Sequence, residues 1–343
     1  MSIPASPESM PQPARPRKSP RFGLWAPFAV AGLLVLAWSV AWRLAAREVE
    51  KRLDEGVRSL AASGVSVEWS GHRLYGYPFR LNLDLTDLKV RGGGWAVRLP
   101  VLETQAFLHA PRNWLAAAPQ GLTVDRPEGG GLEVRGKRLL ASLALPRSGP
   151  PRLSGEGLEV AFAPAPGARP FALASAGRLE LHVRPGPDDQ AAVFLRLEEG
   201  QPVPGRLFAD LGGGGPVSAA IDARLSKASA LRGGTLDQAL GAWGAAGGRL
   251  ALAEAGLTAG PARLSLESPG LIAGADGRLS GPVTVKAAKA PTLLVTLARH
   301  GLLSPAEAAG GMAAALFLGR DSGDDVRLDL ELSGGRVRPA RGS

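Results

Sequence analysis

After Val65, apolar and polar residues alternate along most of the chain. Leu81, Leu83 and Leu85 are separated by Asn82 and Asp84, and Trp95, Val97 and Leu99 by Ala96 and Arg98. Leu132 and Val134 follow, then Leu179, Leu181 and Val183. The longest series is Val217, Ala219, Ile221, Ala223 and Leu225; Leu264 and Leu266, then Val326, Leu328, Leu330 and Leu332, complete the set. A period of two sends successive side chains to opposite faces, so each segment predicts a strand with one buried face. Gly and Pro clusters separate these segments at roughly ten-residue spacing, the pattern of an antiparallel all-β body of about 18 strands. The expected fold is mainly β: a long, curved, groove-like antiparallel sheet with a few helices in the C-terminal half. One N-terminal transmembrane helix precedes it.

The pattern before Val65 is different. Phe22 to Trp42 reads FGLWAPFAVAGLLVLAWSVAW, without a charge, between Arg21 and Arg43. Twenty-one helical residues span about 31 Å, the thickness of a bilayer's hydrocarbon core. Trp25, Trp38 and Trp42 lie toward the ends, where indoles favour the interface. Two rival readings stand beside a retained anchor. A cleaved signal peptide would have a shorter apolar core, although Ser39-Val40-Ala41 resembles a cleavage site. A core helix would rarely be so uniformly apolar. We therefore assign 21–43 to a transmembrane anchor and the Pro- and Ser-rich 1–20 to a disordered cytoplasmic tail. The tail's Arg15, Arg17, Lys18 and Arg21 face a single acid, Glu8, which places it inside by the positive-inside rule. Leu44, Val49, Leu53, Val57 and Leu60 then recur at roughly helical spacing, predicting an amphipathic stalk helix over 44–63. Residues 64–338 form the expected periplasmic β-rich domain, with two halves joined near 211–216, at Gly212 to Gly215.

Some strand segments echo one another: GLEVRGKRLL at 131, GLEVAFAP at 157, GRLELHVRP at 177 and GRLALAEAGL at 248. The echo is a loose strand-and-turn unit. Helices are expected at three later places. Thr235-Leu236-Asp237-Gln238 and Ser304-Pro305-Ala306-Glu307 have capping-box form, and 291–301 reads as a third.

Composition changes this picture mainly by exclusion. The absence of cysteine removes disulfides, thiolate metal sites and cysteine nucleophiles. The net charge of +9 is spread thinly outside the tail; without a clustered basic face, nucleic acid is not an expected partner. The four histidines, His72, His109, His182 and His300, lie far apart and outside any metal motif. Asp321, Asp324, Asp325, Asp329 and Glu331 do not have EF-hand spacing and read as a solvated turn into the last strand. No nucleophile elbow and no phosphate-binding glycine loop occurs. The expectation is no catalytic residue, no metal and no cofactor.

One stretch stands apart. RLYGYPFRLNLDL, from Arg73 to Leu85, holds both tyrosines of the chain. Tyr75 and Tyr77 have the same parity and would share a face with Arg73. Pro78 cannot donate to a ladder and marks a strand start, an edge or a bulge. Two roles fit: an aromatic corner pinning the sheet beside Trp69, or a lip at the membrane surface.

The anchor, Trp69 and then Gly76-Tyr77-Pro78-Phe79-Arg80 before alternating leucines resemble the N-terminal signature of domain-of-unknown-function family 2125. Those are mostly alphaproteobacterial, membrane-anchored envelope proteins. Trp243, Gly248-Arg249-Leu250, Gly260-Pro261 and Gly277-Arg278-Leu279-Ser280-Gly281 are similar to its C-terminal part. By strand pattern the family looks akin to AsmA-like, groove-shaped, lipid-handling sheets. The resemblance implies no catalytic residues; the family-motif residues are Trp69, Tyr75, Gly76, Tyr77, Pro78, Phe79 and Arg80. The expected function is binding of lipid or another amphiphile in cell-envelope biogenesis or lipid transport. The inner membrane is the expected partner. The alternative is a non-catalytic scaffold or interaction module with envelope protein partners.

Overall fold

The computed structural model describes residues 22–146, 151–231, 236–304, 309–313, 325–333 and 336–339. It begins with a single helix of 41 residues, α1 (Phe22–Ala62), which takes in both the apolar segment and the amphipathic stretch after it. At 1.5 Å per residue α1 is about 61 Å long. It is the one helix among the described residues long and apolar enough to cross a membrane, by length and composition.

Among the described residues, seventeen strands follow in one antiparallel sheet. They are β1 (Ser66–Glu68), β2 (Gly71–Tyr75), β3 (Arg80–Gly92), β4 (Trp95–Phe107), β5 (Ala110–Ala117), β6 (Leu122–Arg126), β7 (Gly130–Arg135), β8 (Arg138–Ala144) and β9 (Arg152–Pro164). Then come β10 (Leu173–Pro185), β11 (Ala191–Pro202), helix α2 (Leu207–Gly212), β12 (Val217–Leu225) and helix α3 (Leu236–Ala245). The chain continues through β13 (Arg249–Ala259), β14 (Ala262–Ala273), β15 (Leu279–Ala288), helix α4 (Ala290–Arg299), β16 (Asp325–Ser333) and β17 (Arg336–Pro339).

From β9 to β17 each strand pairs with the next in sequence, a plain meander. The first part is more compressed. β1 and β2 divide one edge of β3 between them. β5 and β6 divide the far edge of β4, and β8 and β7 divide the near edge of β9. Three lanes are thus each shared by two short strands, leaving fourteen lanes across the sheet. At about 4.8 Å per spacing the sheet is about 62 Å across. A count of one strand per lane, taken from the alternation alone, overstates this width.

The two faces of the sheet are unlike. One cross-strand row runs Leu83, Thr104, Ala116, Ala141, Gly155, Leu181, Leu195, Ile221, Ala255, Leu266, Val285 and Leu328. On the opposite face, Arg178 bonds to Glu156 at 3.0 Å and also pairs with Glu180, while Arg196 reaches Glu198 at 3.5 Å and Lys286 meets Glu267 at 2.6 Å. Period-two alternation therefore yields an oily face and a charged one.

Acidic residues in the left-handed region recur at bends of the long strands: Asp87, Glu159 and Glu199 have φ of 51°, 48° and 52°. The extra turn at Asp87 lets Leu88 follow Leu85 by three residues and still join the same buried cluster.

Among the described residues, helices cover only parts of the oily face. Leu211 of α2 and Leu293 of α4 close a core with Leu173, Ala176, Leu197, Val217, Ala259 and Ala262. Val49 and Leu53 of α1 pack on Leu83, Leu85 and Leu88 of β3. The side of α1 turned to the sheet carries Trp42, Ala45, Ala46, Val49, Leu53 and Val57, whereas Leu44 and Leu60 are exposed. The sequence pattern places those two leucines on the apolar stripe; α-helical geometry, with the sheet on one side, rotates them off it.

Gly212 to Gly215 lead from the end of α2 into β12, with Gly213 in the left-handed region as its C-cap. The pairing of β11 with β12 carries the sheet past this turn. Of the predicted helices, α3 contains Leu236 to Gln238 and Trp243, and α4 occupies the 291–301 segment. Thr235 and the Pro305-Ala306-Glu307 part of the second capping box lie outside the described residues, as do Asp321 and Asp324.

Candidate functional site

The tyrosine-rich stretch forms a socket for α1. The indole nitrogen of Trp38 donates to the Pro78 carbonyl at 2.8 Å, and that of Trp42 donates to the Arg80 carbonyl at 2.8 Å. Between them, the Ser39 hydroxyl and the Tyr77 hydroxyl lie 2.8 Å apart. Trp42 meets the Tyr77 ring edge-on at 5.8 Å, and Trp38 lies against Phe79 at 6.2 Å. Two of α1's turns, at the end of its apolar segment, are thus bonded to the loop that opens β3.

Local sequence explains the loop. Gly76 has φ of 110°, and a Cβ there would sit 2.8 Å from the Arg80 carbonyl oxygen. The Arg80 amide closes the turn onto the Gly76 carbonyl at 2.9 Å. The Tyr77–Pro78 peptide is cis. Because the chain turns at Gly76, the two tyrosines do not share a face. Tyr75 ends β2 under the Arg73 guanidinium, 4.4 Å from its ring centroid, with its hydroxyl 3.4 Å from Asp84. Tyr77 leaves the strand and turns to α1. Parity extended through a positive-φ glycine placed them together. Trp69 packs beside Leu74 against the β3 leucines. Phe79 is 67% exposed, and the Arg80 guanidinium lies 5.5 Å over the Phe107 ring.

Beyond the socket, α1 stands off from the sheet and leaves a cavity of about 460 Å³. Its floor is Leu83, Leu85, Leu102, Trp114, Leu143 and Leu153, with Ala45, Val49 and Leu53 of α1 as its roof. Ala45 is three residues after Trp42, about 4.5 Å along the helix. The charged groups lining the cavity are Glu48, Arg52 and Arg112. Arg52 donates to Glu48 at 2.7 Å; that hydrogen bond, with the charge of Arg52 and then Lys51, holds the Glu48 carboxyl below its ordinary value. Arg112, half-buried, bonds to the Pro146 carbonyl at 3.3 Å.

The cavity continues into a strip of open apolar face. Leu153 is 41% exposed, and Leu181, Leu195 and Ile221 are each 37% exposed. Leu181 opposes Leu195, which opposes Ile221, so the three adjoin across β10, β11 and β12.

The histidines take unrelated places. His109 stacks on Phe107 and His182 on Phe194, while His300 bonds to Asp210 at 2.9 Å between α4 and α2. No group of three or more metal-ligating side chains occurs among the described residues. The bonds from Trp38, Ser39 and Trp42 to the motif escaped sequence reasoning, since about forty residues separate the partners. The interfacial position of those tryptophans was the available signal.

No curated protein and no solved structure matches the chain. A family model does, over residues 42–340, which include the socket, the cavity and the sheet: the chain belongs to the family described as an uncharacterized protein conserved in bacteria, DUF2125.

Proposed function

We propose that α1 anchors the protein in the inner membrane, that the sheet lies in the periplasm, and that its apolar face binds lipid or another amphiphile during envelope biogenesis or lipid transport. The observation that carries this reading is the uncovered strip of Leu153, Leu181, Leu195 and Ile221 on a sheet whose other face is lined with ion pairs. An apolar strip continuous with a cavity, beside a helix long and apolar enough to cross a membrane, suits a chain-like amphiphile better than a compact polar substrate. A width of about 62 Å fits a local acceptor, or an adaptor to a larger assembly. The reading includes no catalytic step.

The test is photo-crosslinking in intact cells, with p-benzoylphenylalanine replacing Leu195 or Ile221 in the full chain. Lipid adducts identified by mass spectrometry at these positions, and not at Ala220 on the charged face, are expected. Protein adducts alone would overturn lipid binding and leave an envelope scaffold.

A further inference from the structure

The cavity under α1 has a chemical asymmetry of its own. Its walls are apolar, and two of its three charged groups neutralise each other, since Arg52 and Glu48 are bonded at 2.7 Å. The third, Arg112, has no ion pair among the described residues and uses a long 3.3 Å bond to Pro146. It lies on the same face of β5 as Trp114, two residues before it, and so belongs to the oily side. A guanidinium has five donors in a planar fork suited to phosphate. A half-buried cation beside an apolar cavity calls for an anion attached to something greasy.

Position supplies the source. α1 passes without a break from its apolar segment into the cavity roof, and Ala45 at the near end is about 4.5 Å past Trp42. The exposed Phe79 and the Arg80–Phe107 pair stand at that same end. A volume of about 460 Å³ is within the range of small-molecule sites.

We propose that this cavity seats an acyl chain of an anionic phospholipid taken from the membrane that α1 crosses, with Arg112 holding the phosphate. This rests on the lipid-binding reading above and assigns it a seat and a headgroup. Trp114 and Leu143 line the chain, while Arg52, tied to Glu48, leaves Arg112 as the uncompensated charge.

The full chain, carrying Leu143→p-benzoylphenylalanine, is reconstituted in vesicles of equimolar phosphatidylglycerol and phosphatidylcholine and irradiated. The expected result is phosphatidylglycerol adducts in about tenfold excess, because the choline ammonium offsets the phosphate charge of phosphatidylcholine whereas phosphatidylglycerol keeps a net negative charge for the Arg112 guanidinium. Arg112→Ala brings the ratio close to one, and Arg112→Lys, which keeps the charge, retains most of it. Adducts without headgroup preference overturn the role of Arg112. Adducts at Leu195 or Ile221 with none at Leu143 overturn the cavity as the seat while leaving the lipid-binding reading intact. The absence of lipid adducts at all three positions overturns both.

Discussion

The indole of Trp42 donates to the Arg80 carbonyl at 2.8 Å, joining α1 to the first residue of β3 across 38 positions of sequence. The same ring meets Tyr77 edge-on at 5.8 Å. One side chain therefore contributes both a hydrogen bond and an aromatic contact to the docking of helix on sheet. Trp42→Phe removes the donor and keeps most of the ring, and its expected cost is about 1 kcal/mol. Trp42→Ala removes both and is expected to cost about 3 kcal/mol. Thermal unfolding of the full chain gives the order. Spin labels on the exposed Glu55 and the partly buried Lys89, read by double electron–electron resonance, show whether α1 has left the sheet. Trp42→Phe as stable as the parent would refute the hydrogen bond's share, and equal stability of the two variants would refute the aromatic contact's share.

Gly76 and Gly71 lie five residues apart and should respond oppositely to alanine. At Gly76 the backbone is at φ 110° and a Cβ would press on the Arg80 carbonyl at 2.8 Å. Gly71 has open space around its Cα and no positive φ. Gly76→Ala is expected to destabilise by about 1–3 kcal/mol through backbone strain. Gly71→Ala is expected to be neutral or slightly stabilising, because alanine restricts the unfolded chain. Urea unfolding of both full-length variants decides it, and similar midpoints would contradict the assigned role of Gly76.

The alternation of Leu81, Leu83 and Leu85 predicted β3, and their burial shows why the pattern is readable. A half-buried strand must place its apolar side chains on one face, whatever its partners. Lane sharing was not readable. Whether β5 and β6 occupy one lane or two depends on pairings between distant segments, and alternation says nothing about partners. Trp95 illustrates the limit: its parity with Val97 and Leu99 predicted a buried ring, but it opposes Gly92 at the strand's end and is exposed. The seven family-motif residues were legible as a cluster, yet their partners on α1 were not. Such contacts need the turn at Gly76, which parity arguments pass over. Arg112 was missed because one arginine in a loop-to-strand junction carries no periodic signal.

The ion pairs of the charged face should matter little beside the core beneath them. Arg178 is 42% exposed while bonding to Glu156 at 3.0 Å and pairing with Glu180. Half-exposed pairs are worth about 0–1 kcal/mol, so Arg178→Ala is expected to fall in that range and to shrink further in high salt. Leu197, across the sheet on the covered side, is buried against α2 and α4. Leu197→Ala is expected to cost about 2–5 kcal/mol, from lost transfer energy and the cavity left behind. Chemical denaturation at low and high salt separates the two. A larger loss from Arg178→Ala would mean that the charged face is covered in the native assembly.

Glu48 offers a pH prediction of definite sign. Its carboxyl is held below the ordinary value by the Arg52 hydrogen bond first, and by the charges of Arg52 and then Lys51. Lowering a carboxyl in the folded state favours folding above the unfolded pKa. That contribution is lost as pH falls through the lower folded value. Because the Glu48 side chain is about half exposed, the effect on global stability is small, and it is best read at the residue. Side-chain carbon chemical shifts titrated by NMR should show Glu48 ionising at lower pH than a free glutamate. In Arg52→Ala the midpoint should move up; an unmoved midpoint would show that the pair does not form in solution.

Trp243 and Gly248 form a close contact whose coupling can be measured directly. Trp243, on α3, is 2% exposed, and its indole nitrogen donates to the Ser226 carbonyl at 2.7 Å. Gly248 lies against the ring: a Cβ there would run into Cε2, Nε1 and Cδ2 of the indole. The Gly248 amide is held by the Trp243 carbonyl at 2.9 Å, and its own carbonyl accepts from Ala273 at 3.0 Å, so the backbone has little room to retreat. Gly248→Ala must therefore displace the ring, and about 2–4 kcal/mol of destabilisation is expected from lost packing and the orphaned Ser226 carbonyl. Trp243→Phe loses the indole nitrogen and the second ring, and so leaves more room for the added methyl. Combined with Gly248→Ala, it should cost less than the sum of the single changes by at least about 1 kcal/mol. A double-mutant cycle on unfolding free energies measures this term. Strict additivity would show that the added methyl is relieved by backbone movement instead, and would remove the steric reason for glycine after α3.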